Sequence, residues 1–377
     1  MWEWKASSAR RTLATRVYRL ILDEQINSPG VRLLRHLAAI AAVVYSAAMS
    51  CRDLLFCHGV LPKCKTECRV VCVGNITLGG TGKTPMVMWL ARFLQQEGWK
   101  VAVVSRGYRG RYGGKVLVVS DGQAIRCEAA ISGDEPQLLA RRLPGVVVLC
   151  GSRRKEAVQV ALQDFLCQVV VLDDGFQHRY LERDVDMVLL DSSSPYGNGR
   201  LFPRGLLREK ITALERADLL VLSNFDGTLS ARKTLEQLQQ DWPQKPVFKG
   251  IHRPERLFHA TTGEEKPLAF LRGKRLACFA GIAKPARFFQ TVTSLGGVLA
   301  FTFSLPDHSP LTADLLQDMV DAARPRPAEL WLTTEKDWVR LPAVLPEDLQ
   351  LWVLGIEFDL GEDDQQVAAM VLKRLRA

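Results

Sequence analysis

Five short stretches carry side chains suited to handling a phosphate group. The first, Gly74-Asn-Ile-Thr-Leu-Gly-Gly-Thr-Gly-Lys-Thr-Pro85, follows the apolar run Arg69–Val73. Glycines Gly79, Gly80 and Gly82 let the backbone N–H groups around Thr81 turn inward, and a helix start adds partial positive charge. Lys83 would then reach the β/γ-phosphates of ATP, and the Thr84 hydroxyl would ligate Mg²⁺. The usual phosphate loop has glycine five places before Gly82, where this chain has Thr77. A plain glycine turn is the competing reading, but it accounts for neither Lys83-Thr84 nor the strand before the loop.

The second stretch, Val169-Val-Val-Leu-Asp-Asp174, is an apolar strand ending in paired acids, the place where such folds hold Mg²⁺ directly or through water. Gly175-Phe-Gln-His-Arg179 follows at once, so Gln177 and His178 add polar chemistry to the same turn. The third, Ser132-Gly-Asp-Glu-Pro136, offers Asp134 and Glu135 as acids within reach of a substrate hydroxyl. Read alone, it is also a helix start with Asp134 as its cap. The fourth, Gly151-Ser-Arg-Arg154, puts Arg154 after an apolar strand, where it clamps phosphate or makes a surface ion pair. The fifth runs from Gly197 to Glu209, glycine-rich, basic and aperiodic, with Arg208 and Glu209 at its end. It reads as a structured functional loop.

The elements that position these residues alternate along the chain. Arg69–Val73, Val101–Ser105, Val146–Cys150 and Val169–Leu172 read as strands, with helices over Pro85–Gln96 and Arg154–Asp164. Short, wholly apolar strands between helices predict a parallel sheet covered on both faces, a phosphate-loop type of α/β fold. Such sheets bind ligands at the carboxyl ends of their strands, where all five stretches fall. The pattern restarts after Asp241–Pro246, with strands at Arg275–Ala280, Val298–Phe303 and Leu330–Thr333, and helices near Pro285–Ser294 and Thr312–Ala323. A second, smaller α/β unit of Rossmann-like type is expected there.

With 377 residues the chain is long for one core. The expected division is a basic and apolar segment over residues 1–60, a nucleotide-binding unit over 61–245 and a C-terminal α/β unit over 246–377. Net charge is +9, and residues 1–70 hold eleven Lys/Arg against five acids, a surplus of six. The apolar run Leu37–Met49 lies among these cations but is shorter than the ~20 residues of a membrane span, and Arg52 and Asp53 interrupt its extension. A helix lying in a membrane interface is expected, with a helix packed on the soluble body as the alternative. The cations do not interleave with aromatics, so no nucleic-acid partner is expected, and nothing points to an obligate protein partner. Nine cysteines without a framework suit a reducing compartment, and Cys57-His58, Cys64 and Cys68 match no common zinc spacing.

Taken together, these stretches resemble the tetraacyldisaccharide 4′-kinases of lipid A biosynthesis. The resemblance rests on VGNITLGGTGKTP (73–85), SRGY (105–108), GDEP (133–136), LDDGFQHR (172–179), GNGRLFPRGLLRE (197–209), FAGIAKPARFF (279–289), PDH (306–308) and TTEKD (333–337), in the family's order. It implies transfer of the γ-phosphoryl group of ATP, with Mg²⁺, to the 4′-hydroxyl of a tetraacyl glucosamine disaccharide 1-phosphate. The setting it implies is the cytoplasmic face of the bacterial inner membrane, with an anionic lipid surface as partner. It also implies that Asp134 is the catalytic base with His308 as its partner, that Asp173 and Asp174 hold the metal with Glu209 helping to organise it, and that Arg154, Arg208 and His178 lie near the phosphates. Ala283-Lys284, Leu206 and Lys210 depart from the family's usual residues. On the residues alone, a kinase of another small acceptor and a membrane-associated ATPase remain alternatives; Ser223-Asn-Phe-Asp-Gly227 lacks the lysine of a guanine-reading motif.

Overall fold

The computed structural model describes the chain except residues 1, 6–12, 24, 27, 108, 109, 111, 326, 327, 343, 347 and 348, and the side chains of 2–5, 13–16 and 19. Arg10, Arg11, Glu24 and Tyr108, which figure above, lie outside the described residues. Two sheets organise the rest. The first has eight strands in the order Leu117–Asp121, Val147–Cys150, Val101–Ser105, Val169–Asp173, Arg69–Gly74, Val185–Asp191, Leu219–Ser223, Val247–Lys249. All neighbours run parallel except Leu117–Asp121, which pairs antiparallel with Val147–Cys150. β-Branched side chains dominate these strands, and their two faces feed two cores. Val71 and Val73 pack with the helix Lys83–Gln96, whereas Val70 and Cys72 pack with the helix Arg154–Gln163. The expected doubly covered parallel sheet is therefore present.

Register sets the site. Val73 pairs with Asp173, so the loop leaving the central strand begins beside the paired aspartates.

The second sheet has seven strands, ordered Trp2–Lys5, Val298–Ser304, Arg275–Ala280, Leu330–Thr334, Leu351–Asp359, Ile251–His259, Glu265–Lys266. The first five run parallel, and each of the last two pairs antiparallel with the strand before it. The helix Ala313–Ala323 covers one face through Leu316, Met319 and Val320, and the helix Pro285–Ser294 covers the other through Phe288 and Val292. The division expected from sequence is crossed in three places. Trp2–Lys5, from the N-terminal segment, forms an edge of the second sheet. Val247–Lys249 completes the first sheet. The last helix, Asp364–Arg376, returns to the first unit, where Val367, Val371 and Leu375 pack with Met86, Val87, Leu90 and Leu94.

The N-terminal helix is longer than expected. It runs unbroken over Pro29–Cys57, 29 residues, with Ser28 as its cap. It continues through Arg52 and Asp53, whose charges the soluble body takes up. Arg52 meets Glu209 at 3.0 Å, and Asp53 accepts from Arg179 at 2.7 Å. At ~1.5 Å per residue the helix measures about 44 Å, more than a ~30 Å hydrocarbon core. By length and composition it is able to cross a membrane. Its docked side carries Val31, Ala38 and Phe56, all buried. Its other side exposes Leu33, Leu37, Ile40, Val43 and Val44.

Candidate active site

The phosphate loop is shaped by what lies behind it. Asn75 donates to the Thr81 hydroxyl at 3.0 Å, and Ser223 lies 2.8 Å from the Thr81 carbonyl. Gly82 has φ of 79°, and a β-carbon there would lie 2.1 Å from Nε2 of His252. Only glycine satisfies both conditions. Gly82 also caps the helix Lys83–Gln96 without a side-chain oxygen, so no cap claims the first-turn N–H groups, which suit an anion. Gly79 has φ of 113°, and Gly80 faces Ala283 of the second unit.

Around this loop the charges are paired. Lys83 lies 3.4 Å from Asp174, which also accepts twice from Arg208, at 2.9 and 3.0 Å. Gln177 accepts from Arg208 at 3.3 Å and donates to the Asn75 carbonyl at 2.8 Å, tying the loop to the aspartates. Asp173 is buried and accepts from Ser105 at 3.3 Å. Burial, followed by the neighbouring Glu135 and Asp174, pushes the Asp173 carboxyl up to about 7. Burial works against Asp174 as well, yet Lys83 and Arg208 hold it down at about 2. Two adjacent carboxyls are thus driven apart by their surroundings, a pattern of functional sites. Arg154 is buried beneath them, donating to the Gly151 and Asp173 carbonyls. Burial, then Arg154 and Arg183, lowers the His178 imidazole to about 4, so it is neutral near pH 7.

The second unit supplies the other wall. Asp134 opens the helix Asp134–Arg142, and its Oδ2 lies 2.8 Å from Nδ1 of His308 and 3.4 Å from Arg340. Glu135 accepts from Lys336 at 3.2 Å. The far end of the same helix is held too, because Arg142 bridges Glu335, at 3.0 Å, and Glu255. Asp174 and His308 both adopt left-handed backbone, at φ of 53° and 59°. Such conformations cost ~1–3 kcal/mol for a non-glycine residue and cluster at functional sites.

The structure therefore brings the phosphate loop, Asp173, Asp174, Arg154, Arg208, Gln177, Asp134, Glu135 and His308 together where the units meet. Glu209, expected at the metal, is placed elsewhere. It is buried with one carboxylate oxygen on Arg52 and the other on Arg216, at 3.0 and 2.6 Å. Those two arginines make it an anchor between the N-terminal helix and the loop Gly197–Glu209. Among the described residues, no third His, Cys, Asp or Glu joins Asp173 and Asp174 to make a cluster of three. The oxygen donors Thr84, Asp173 and Asp174 nonetheless suit Mg²⁺, since a cation would relieve the carboxyl crowding that raises Asp173.

Sequence reading missed several residues here. His252 is an isolated histidine on a strand, and no local signal marks its approach to Gly82. Asn224, weighed only as part of an absent guanine motif, bonds His252 at 2.7 Å and Asp191 at 3.1 Å. Asp191 in turn grips Lys284 and Arg287 of the second unit, at 2.9 and 3.0 Å. Lys336 and Arg340 were signalled only by the motif TTEKD and its surroundings.

Comparison with known proteins gives this geometry its context. The family model described as tetraacyldisaccharide-1-P 4′-kinase matches residues 34–376. The tetraacyldisaccharide 4′-kinase of Anaeromyxobacter sp. (strain K) is 43% identical over 307 residues, 81% of each chain. That of Desulfatibacillum aliphaticivorans is 37% identical over 365 residues, covering 94% of this chain and 95% of its own. A crystal structure of the "apo" form of LpxK from Aquifex aeolicus in complex with ATP superposes with a TM-score of 0.71 at 30% identity. The match covers 91% of this chain and 99% of that one. A family match over nearly the whole length, with relatives this similar over four-fifths or more of the chain, is decisive: the chain belongs to the tetraacyldisaccharide-1-P 4′-kinase family.

Proposed function

We propose that this cleft moves the γ-phosphoryl group of ATP onto the 4′-hydroxyl of a tetraacyl glucosamine disaccharide 1-phosphate, with Asp134 as the base. As a member of its family the chain is an ATP-dependent lipid kinase; the assignment of residues to roles is ours. One observation carries it: the Asp134 carboxylate is held at 2.8 Å by His308 of the opposite unit, and the adjacent Glu135 lies close enough to Asp173 to raise its pKa. His308 and Arg340 both bind Oδ2. Among the described residues this leaves Oδ1 to take the substrate proton. The hydroxyl oxygen then bonds to the γ-phosphorus as the bond to the β–γ bridging oxygen breaks, and ADP leaves. Lys83, Arg208 and Arg154 counter charge on the phosphates, and Gln177 holds Arg208 in register with the loop. Thr84, Asp173 and Asp174 would hold Mg²⁺, which when bound neutralises phosphate charge. His178, neutral, contributes shape and hydrogen bonding rather than charge.

The apolar stripe Leu33–Val44 and the basic N-terminal segment support attachment to an anionic membrane surface, where cations add ~1 kcal/mol each. The acyl chains of the substrate would then enter from the lipid side. We place the enzyme at the cytoplasmic face of the inner membrane, with most of residues 61–245 and most of 246–377 as the two walls of the site. The test is transfer of labelled γ-phosphate from ATP to a tetraacylated disaccharide 1-phosphate in mixed micelles. Asp134→Ala should lose ~10²-fold or more with ATP binding intact. No transfer by folded, ATP-binding enzyme would overturn the substrate, and an unimpaired Asp134→Ala would overturn the base.

A further inference from the structure

We propose that Tyr45 is a positioning residue for phosphoryl transfer: its hydroxyl, carried by the long N-terminal helix, pins the main chain of Arg208 so that the guanidinium stays aimed at Asp174 and the phosphates. The inference rests on the reading of Arg208 as a residue that counters phosphate charge.

Arg208 is held by its backbone as well as by its side chain. Its N–H donates to the Ile76 carbonyl at 2.8 Å, and two residues earlier the Leu206 carbonyl accepts from Leu78 at 2.7 Å. Between these bonds Thr77 pairs antiparallel with Leu207. Residues 206–208 are therefore a short antiparallel ribbon laid along the start of the phosphate loop. The N-terminal helix makes the next bond, the Tyr45 hydroxyl donating to the Arg208 carbonyl at 2.7 Å. One main-chain group of Arg208 is thus bound by the phosphate loop and the other by the helix. From that fixed backbone the guanidinium reaches Asp174 twice and Gln177 once.

Tyr45 is well placed for this task. Val31, Ala38, Tyr45 and Arg52 recur every seven residues, about two helical turns, so all four share the docked side of the helix. The Tyr45 ring meets Phe202 edge-on, with centroids 5.9 Å apart, which sets the direction of its hydroxyl. Three successive residues of the loop are tied to this helix. Arg208 is bound by Tyr45, Glu209 by Arg52 at 3.0 Å, and Lys210 reaches Ser50 at 2.9 Å. Of these three bonds, that of Tyr45 acts on Arg208 itself. Its chain neighbour Val44 is exposed with Leu37 and Ile40 on the apolar side. The membrane-facing side chains and the hydroxyl that pins Arg208 therefore ride on one rigid element.

The consequence concerns the rate of transfer more than the binding of either substrate. A cation that counters developing charge is effective only if it is already in place when the phosphoryl group moves. Arg208 carries a long side chain, so a small rotation of the peptide after it is magnified at the guanidinium. Without the Tyr45 hydroxyl the Arg208 carbonyl turns to water and that rotation is released. Misplacements on this scale cost rate while the substrates still bind.

The experiment uses full-length Tyr45→Phe, which keeps the ring against Phe202 and removes the hydroxyl. In mixed micelles kcat should fall ~2- to 10-fold, the effect of one hydrogen bond, with KM for the tetraacylated disaccharide 1-phosphate and sedimentation with anionic vesicles unchanged. Tyr18→Phe removes a bond of equal length, to the Gly205 carbonyl at 2.7 Å, and should keep the wild-type kcat. In an Arg208→Lys background Tyr45→Phe should cost less than ~1.5-fold more, because the planar fork it aims is gone. An unchanged kcat in Tyr45→Phe overturns the proposal, as does the full loss persisting in the Arg208→Lys background. A raised lipid KM or lost vesicle binding with kcat intact also overturns it, marking a lipid-binding role. So does an equal fall in kcat for Tyr18→Phe, the sign of a loop loosened as a whole. If Arg208→Lys turns over too slowly to measure, the comparison of Tyr45→Phe with Tyr18→Phe decides. A failed reading of Arg208 shows separately, as Arg208→Lys working at the wild-type rate.

Discussion

Replacing Gly82 by alanine separates two forces that shape the phosphate loop. The first is backbone strain: at φ of 79° a β-carbon costs ~1–2 kcal/mol. The second is contact. The new methyl would lie 2.1 Å from Nε2 and 2.2 Å from Cε1 of His252, over an ångström inside normal contact. The ring cannot simply swing away. Its Nδ1 is bonded to Asn224 at 2.7 Å, and its edge meets Phe358 at 5.4 Å between centroids. Breaking the Asn224 bond costs ~0.5–1.5 kcal/mol, so the total is roughly 1.5–3.5 kcal/mol. The strain is relieved when the loop leaves its phosphate-binding shape, so it should be read as lost ATP affinity. At 1.4 kcal/mol per tenfold, that is about 10- to 300-fold by isothermal titration. Gly82→Ala with His252→Ala removes the contact and keeps the strain, so it should bind more tightly than Gly82→Ala alone, within ~5- to 30-fold of wild type. A Gly82→Ala enzyme that binds ATP within threefold of wild type, or a double variant no better than the single one, would refute the reasoning.

Three other outcomes follow from the same geometry. Arg142→Met strands Glu335 in the interior, so it should lower stability by ~3–5 kcal/mol in chemical denaturation, whereas Arg153→Met on the exposed surface should change it by less than ~0.5. The folded-state pKa of Asp173 is raised to about 7, so its ionisation destabilises the metal-free fold above that pH, and the penalty disappears as pH falls toward the unfolded value near 4. Asp173→Asn should therefore melt higher than wild type at pH 8 in chelator, melt alike near pH 4, gain nothing from added Mg²⁺ and lose activity. Leu37→Glu, Ile40→Glu and Val44→Glu together should release the enzyme from vesicles containing anionic lipid while leaving ATP binding in detergent unchanged, since all three side chains point away from the body; persistent sedimentation with vesicles would show that another surface holds the membrane.

The parts of the fold legible in the sequence were those written in contiguous residues. Apolar runs such as Val169–Leu172 can only be buried strands, and the helices between them impose parallel order. The acids and cations of the site were legible because each sits at a strand end beside glycines. What escaped was set by contacts between distant segments. The charges at Arg52 and Asp53 interrupt the apolar run in sequence, and only the fold shows that Glu209 and Arg179 absorb them. Glu209 is a metal residue only by the family resemblance, and Arg52 and Arg216 claim its two oxygens instead. His252 lies some 170 residues after Gly82, and neither residue's neighbours hint at the other. Four residues such as Trp2–Lys5 are too few to announce a strand, and only the open edge of Val298–Ser304 makes them one.

The return of the last helix bears on how the protein is made. Trp89 donates to Asp364 at 2.8 Å, and Val367, Val371 and Leu375 fill the core against Met86, Leu90 and Leu94. The ribosome delivers the phosphate loop and its helix some 270 residues before this covering layer. At ~5–20 residues per second, the apolar flank of Lys83–Gln96 waits roughly 15–50 s for its partner. The nucleotide-binding core is thus completed only once Asp364–Arg376 has been made, well after the N-terminal helix has emerged and is free to meet the membrane.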